Sequence, residues 1–188
     1  MKNFKKLTLK EYENKMEIKY NDLIKDFNEK LLTIDSFNRG HLLYKLVDSE
    51  DCPEELKYYI FYRWWDSIDS YHDYFEADDI DEWLETTNID MYTEVKNNLN
   101  LDSDGYVKVY RGTHEFNEGL NGKSWTTDKE VAIKFANGCG VRRPTKKPKI
   151  LTGKVDWIYV LGIFNDRKEN EVLCNMVELN GVEELGSI

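Results

Sequence analysis

The sequence predicts an α+β protein, with a helical N-terminal part followed by a β-rich C-terminal part. Three observations carry this expectation. Apolar residues recur at helical spacing through the first hundred positions, and a turn-forming cluster, LDSDG at 101–105, is followed by two-residue alternation. The charge also changes there: residues 1–100 carry 13 Lys and Arg against 23 Asp and Glu, whereas residues 101–188 carry 13 of each. The expected division is therefore an acidic helical subdomain over 1–100 and a second domain over 101–188.

The elements follow in order. Leu9, Tyr12, Met16, Tyr20, Leu23, Phe27 and Leu31 recur at steps of three and four, which predicts one amphipathic helix over 9–32. Asp35 is placed to cap a second helix through Leu46, and Pro53 suits the first turn of a third that runs into Tyr58–Trp65. Asp78–Leu84 and the stretch to about Leu99 also read as helix. Beyond the turn cluster, Tyr106–Tyr110 alternates and is β-like, and Gly122–Thr126 is a second short strand candidate. Thr127 or Asp128 can cap a helix, DKEVAIKFA, with Val131, Ala132 and Phe135 on one face. A basic loop spans Asn137–Lys149, and Ile150–Val155, Ile158–Leu161 and Glu171–Val177 complete the strand candidates.

Composition narrows the function. With 40% hydrophobic and 13% aromatic residues, 188 residues can bury a real core. No apolar run approaches the roughly 20 residues a membrane helix needs, and none follows the basic N-terminus as in a secretory signal. Cys52, Cys139 and Cys174 are widely spaced, with no zinc or disulfide pattern, so no metal is expected and a cytoplasmic location is. Between Trp64 and Val95 lie 11 acidic residues and no Lys or Arg, the opposite of a nucleic-acid-binding surface.

Three features of the β-rich half carry chemistry. In Tyr110-Arg111-Gly112, an Arg read as ending a strand can offer a bidentate fork to a pyrophosphate, and Gly112 lets a flat ring approach the main chain. In Ser124-Trp125-Thr126, alternation puts two hydroxyls on one side and Trp125 on the other. In Glu169-Asn170-Glu171, alternation puts two carboxylates on one face, with Val172, Cys174 and Met176 on the other. Arg39-Gly40 and Arg63 fall in helical segments and lack the strand context.

Taken in this order, the three features resemble the Arg–Ser–Glu class of mono-ADP-ribosyltransferases, which includes bacterial toxins and phage-encoded enzymes. The phrase VYRG…GKSWTTDKEVAIKFA…ILTGKV…ENEVL carries the resemblance across about residues 105–178. It implies a split β-sheet fold over the second domain and NAD as co-substrate. Arg111 would then hold the NAD phosphates and Gly112 the nicotinamide amide. Ser124 would orient Glu171, with Thr126 supporting the same cleft. Glu171 would bind the 2′-hydroxyl of the nicotinamide ribose, and Glu169 would serve the acceptor, a pattern that goes with arginine. Phe164 and Asn165 would belong to a substrate-facing loop, and the five cations between Arg142 and Lys149 would meet NAD phosphates or a partner.

The implied activity is transfer of ADP-ribose to a target protein, which the acidic half suggests is basic, in the cytoplasm of the producing, host or target cell. A nucleic-acid base stays open as acceptor. The alternatives are an NAD glycohydrolase using the same residues, and a catalytically inactive module that binds a basic partner.

Overall fold

The computed structural model describes residues 5–115, 122–139, 145–165 and 167–185. It is an α+β structure with seven α-helices and a six-stranded antiparallel sheet among these residues. The chain divides into two compact units, Met1–Asp90 and Met91–Ile188. The boundary therefore falls ahead of the expected residue 100, and the last helix before the sheet belongs to the second unit.

The first unit holds α1 (Leu9–Lys19), α2 (Asn21–Leu32), α3 (Ser36–Val47), α4 (Glu54–Trp64) and α5 (Ala77–Thr87). Helix α4 is its centre. Leu56, Tyr58, Tyr59, Ile60, Phe61 and Trp64 are buried around much of its circumference, as in a helix enclosed by others. Tyr12 of α1 is buried against it, and its hydroxyl donates to Glu55 O at 2.8 Å while accepting from Tyr59 N at 3.1 Å. The phenol is thus satisfied inside the core, where burial pushes its pKa up.

The single helix expected over 9–32 is two helices. The chain breaks at Tyr20, with φ −123° and ψ 28°. Its hydroxyl donates to Glu55 Oε1 at 2.6 Å, and Lys19 pairs with the same carboxylate. The backbone bonds of both helices meet at this residue, with Tyr20 N donating to Met16 O and its carbonyl accepting from Ile24 N. The apolar spacing therefore runs through the break, and periodicity does not reveal it. Asp35 caps α3 as expected, accepting from Phe37 N and Asn38 N at 3.0 Å each. Pro53 stands at the N-cap of α4, one position before its first turn.

The second unit holds α6 (Met91–Asn98), β1 (Tyr106–Thr113), β2 (Ser124–Thr126), α7 (Lys129–Ala136), β3 (Lys149–Asp156), β4 (Val160–Phe164), β5 (Glu171–Cys174) and β6 (Glu178–Glu184). The strand order is β4-β5-β2-β1-β3-β6. One face carries the core of Val107, Val109, Trp125, Leu151, Val155, Val160, Val172 and Cys174, joined by Val95 of α6. On the other side Ala132 and Ala136 of α7 pack with Ile150 and Tyr110. Asp128 caps α7, accepting from Glu130 N at 2.8 Å.

Several strand expectations change. Residues 157–159 form a 3-10 turn before β4 rather than the start of a strand. Strand β5 ends at Cys174, so Met176 is 58% exposed rather than part of an inward face. Strand β6, which the sequence reading lacks, is exposed at every position and forms one edge of the sheet. No helix among the described residues is long and apolar enough to cross a membrane.

Candidate functional site

The site forms where β1 and β2 part. The two strands pair at one position, Tyr110↔Thr126, although β1 continues to Thr113 in full register with β3. Arg111 is therefore inside β1 rather than at its end. Its guanidinium Nη1 donates to Ser124 O at 2.7 Å, and so holds the first residue of β2. Gly122 makes room for it, because a Cβ there would lie 1.8 Å from the Arg111 Cζ.

Gly112 lines the cleft and also lies against α7. A Cβ on it would lie 2.0 Å from Ala132 O and 2.5 Å from Ala136 N. The missing side chain admits the backbone of α7 against β1, and this close approach brings Val131 and Phe135 to the cleft wall.

Glu171 reaches the site through β5. It pairs with Thr126 of β2 on one side and with Phe164 of β4 on the other. Ser124 pairs with Leu173, so it lies on the diagonal from Glu171 on the same face, within the reach of such cross-strand neighbours. Glu169 arrives differently from the expected alternation, since it precedes the strand and Asn170 is left-handed at φ 48°. Two bonds fasten this turn to the end of β2. Thr126 Oγ1 donates to Glu169 O at 2.6 Å, and Thr127 N donates to Asn170 O at 3.1 Å. Thr126 supports the cleft by holding the main chain of the Glu169 turn.

Together these contacts line one cleft of about 150 Å³ with Tyr110, Arg111, Gly112, Ser124, Trp125, Thr126, Val131, Phe135, Glu169 and Glu171. Burial raises the Glu169 carboxyl above its ordinary range; Arg167 opposes the rise and Glu171 adds to it. Burial also pushes the Cys174 thiol up to about 12, against the pull of Arg111, and its side chain packs in the core that holds Val172 and Trp125.

Six of the eight residues singled out in sequence thus meet in the cleft. The other two do not line it. Phe164 is 5% exposed at the end of β4, where pairing with Glu171 makes it an anchor of the β4–β5 hairpin instead of a loop contact. Asn165 is exposed and its carbonyl accepts from Lys168 N at 2.9 Å in the connecting turn. Arg142 and Arg143 of the basic loop, and Asp166 beside Asn165, lie outside the described residues. Sequence reasoning missed Tyr110, Trp125, Val131 and Phe135 as lining residues and Gly122 as the seat of Arg111. Only the adjacency of Tyr110 to Arg111 hints at the first.

Comparison with known proteins adds no relative: no protein-family model, no curated protein and no solved structure matches the chain.

Proposed function

We propose that the chain is an NAD-dependent mono-ADP-ribosyltransferase that moves ADP-ribose to a target protein, with arginine as acceptor, and releases nicotinamide. The observation that carries this reading is the convergence of Arg111, Ser124, Glu169 and Glu171 on one cleft from β1, β2, β5 and the turn before β5. The single pair between β1 and β2 supports the split-sheet arrangement that this class of enzyme implies.

The donor set and cleft suit one end of NAD. Small-molecule sites usually enclose about 300–1,000 Å³, so a cleft of about 150 Å³ takes a single ring, with the rest of a dinucleotide in the open. Tyr110 and Phe135 supply aromatic walls for the nicotinamide, and Arg111 supplies cationic charge for the phosphates.

In the reaction the nicotinamide–ribose bond breaks and nicotinamide leaves with its electron pair. Positive charge then develops on the ribose, as in glycoside cleavage. Glu171 stabilises that charge, an interaction strongest near the transition state, while Ser124 steadies its carboxylate. Nicotinamide departs from a cationic ring, so its release requires no proton donor. Glu169 receives a proton from the acceptor guanidinium as the new carbon–nitrogen bond forms. Its raised pKa favours that role, because a base works best when its pKa approaches the operating pH.

The test is incubation with NAD labelled in the adenosine half, alone and with lysate, while nicotinamide release is followed. Label on protein arginine supports the proposal. NAD consumption without an acceptor makes water the acceptor, and intact NAD in every condition overturns the enzyme reading.

A further inference from the structure

The first unit carries an aromatic surface that its core does not use. Phe37 on α3 is 62% exposed and Tyr74 is 47% exposed. Between them His41 and Tyr71 stack with ring centroids 5.2 Å apart, Tyr71 and Tyr74 at 5.3 Å, and Tyr44 and Tyr74 at 5.4 Å. Lone exposed aromatics need no explanation, but here the two exposed rings, Phe37 and Tyr74, both contact Tyr71 and so belong to one cluster.

The group is held in place by a specific lock. A Cβ at Gly40 of α3 would lie 2.2 Å from Ser70 O, so glycine lets the Ser70 main chain press on the helix. Asp69 N donates to Ser36 O at 3.0 Å, and the Ser70 hydroxyl donates to Phe37 O. Tyr71, next in the chain, is left-handed at φ 65°. A bulky aromatic residue rarely adopts this conformation, and here the contacts of Asp69 and Ser70 with α3 fix the chain that leads into it.

The charged groups that act on Tyr44 are acidic. Asp48 is the first cause of a raised Tyr44 hydroxyl pKa, and Asp79 and Glu76 add to it. Arg39 of α3 is turned away: its nitrogens donate to Leu31 O, Ser67 O and Ile34 O, and it stacks over Trp64. Lys45 is the other cation of α3, and none occurs from Trp64 to Val95.

We propose that this surface, formed by Phe37, His41 and Tyr44 of α3 with Tyr71 and Tyr74, docks a basic peptide segment of a partner protein, with an arginine or lysine side chain over the Tyr74 and Phe37 rings. Aromatic faces attract such cations, and the carboxylates around them add long-range attraction. The same carboxylates repel nucleic-acid phosphates, although the rings alone would stack on bases.

The experiment is fluorescence anisotropy of the full chain with short labelled arginine-rich, lysine-rich and acidic peptides and a single-stranded oligonucleotide, all without NAD. The basic peptides bind, more weakly as salt rises, and the acidic peptide does not. Tyr74→Ala weakens binding about two- to five-fold, while Tyr74→Phe, which keeps the ring, retains it. Equal binding by Tyr74→Ala and Phe37→Ala, or preference for the oligonucleotide, overturns the proposal. The assay contains no NAD and reads binding alone, so failure here is distinct from failure of the NAD reading.

Discussion

Two carboxylates, Glu169 and Glu171, share the cleft, and the proposed reaction gives each a separate duty. Burial and Glu171 hold Glu169 protonated to higher pH than an ordinary carboxylate. A folded-state pKa above the unfolded value favours folding at low pH, and that advantage is lost as pH rises through the raised pKa. Glu169→Gln removes a charge the fold disfavours, so its melting temperature at pH 7 is unchanged or higher while transfer is lost and slow NAD hydrolysis persists. Equal loss of transfer and hydrolysis would contradict the division of labour. Gly122 offers a second test at this scale. Gly122→Ala displaces the Arg111 guanidinium, the flexible end of a side chain, so the fold survives. NAD affinity, measured by calorimetry, falls about tenfold, on the scale of one charge-assisted bond; unchanged affinity would place the phosphate anchor elsewhere.

Elements show what was legible in the sequence. Asp35 and Asp128 announce α3 and α7 because a capping side chain bonds its own neighbours, a local signal. The residue types of the cleft were legible for the same reason: Arg111, Ser124, Thr126, Glu169 and Glu171 sit in short patterned segments. What escaped depends on distant partners. The burial of Phe164 answers to its pairing with β5, and the seat of Arg111 to Gly122. Strand β6, ELNGVEE, is exposed throughout and has no inward face to write an alternating pattern. The Glu55 clamp can be tested directly. Hydrogen bonds from Lys19 and Tyr20 hold its pKa below the ordinary value. Its contribution is therefore present above the unfolded pKa and lost as pH falls through the lowered one. Glu55→Gln costs about 1 kcal/mol by denaturant melts at pH 7, with the difference vanishing in acid. A difference that does not depend on pH would assign the effect to packing.

At the scale of the whole molecule, the charge asymmetry is the dominant feature. The first unit carries the acidic excess, including Asp78, Asp79, Asp81 and Glu82 of α5, where burial and the neighbouring Glu85 and Asp78 raise Asp81. Such a field speeds association with a basic target and weakens with salt. Changing these four residues to Asn or Gln leaves NAD hydrolysis intact and slows modification of the target, most at low salt. A rate unaffected at every ionic strength would make α5 a solvated face only. The central claim is narrower: the cleft between β1, β2 and β5 cleaves NAD through Glu171. Its most direct test is the rate of nicotinamide release by parent and Glu171→Gln proteins of matched thermal stability. The account predicts measurable release by the parent and a loss of roughly 10²-fold or more in the variant. Release at the parent rate by folded Glu171→Gln, or no release by either, would contradict it.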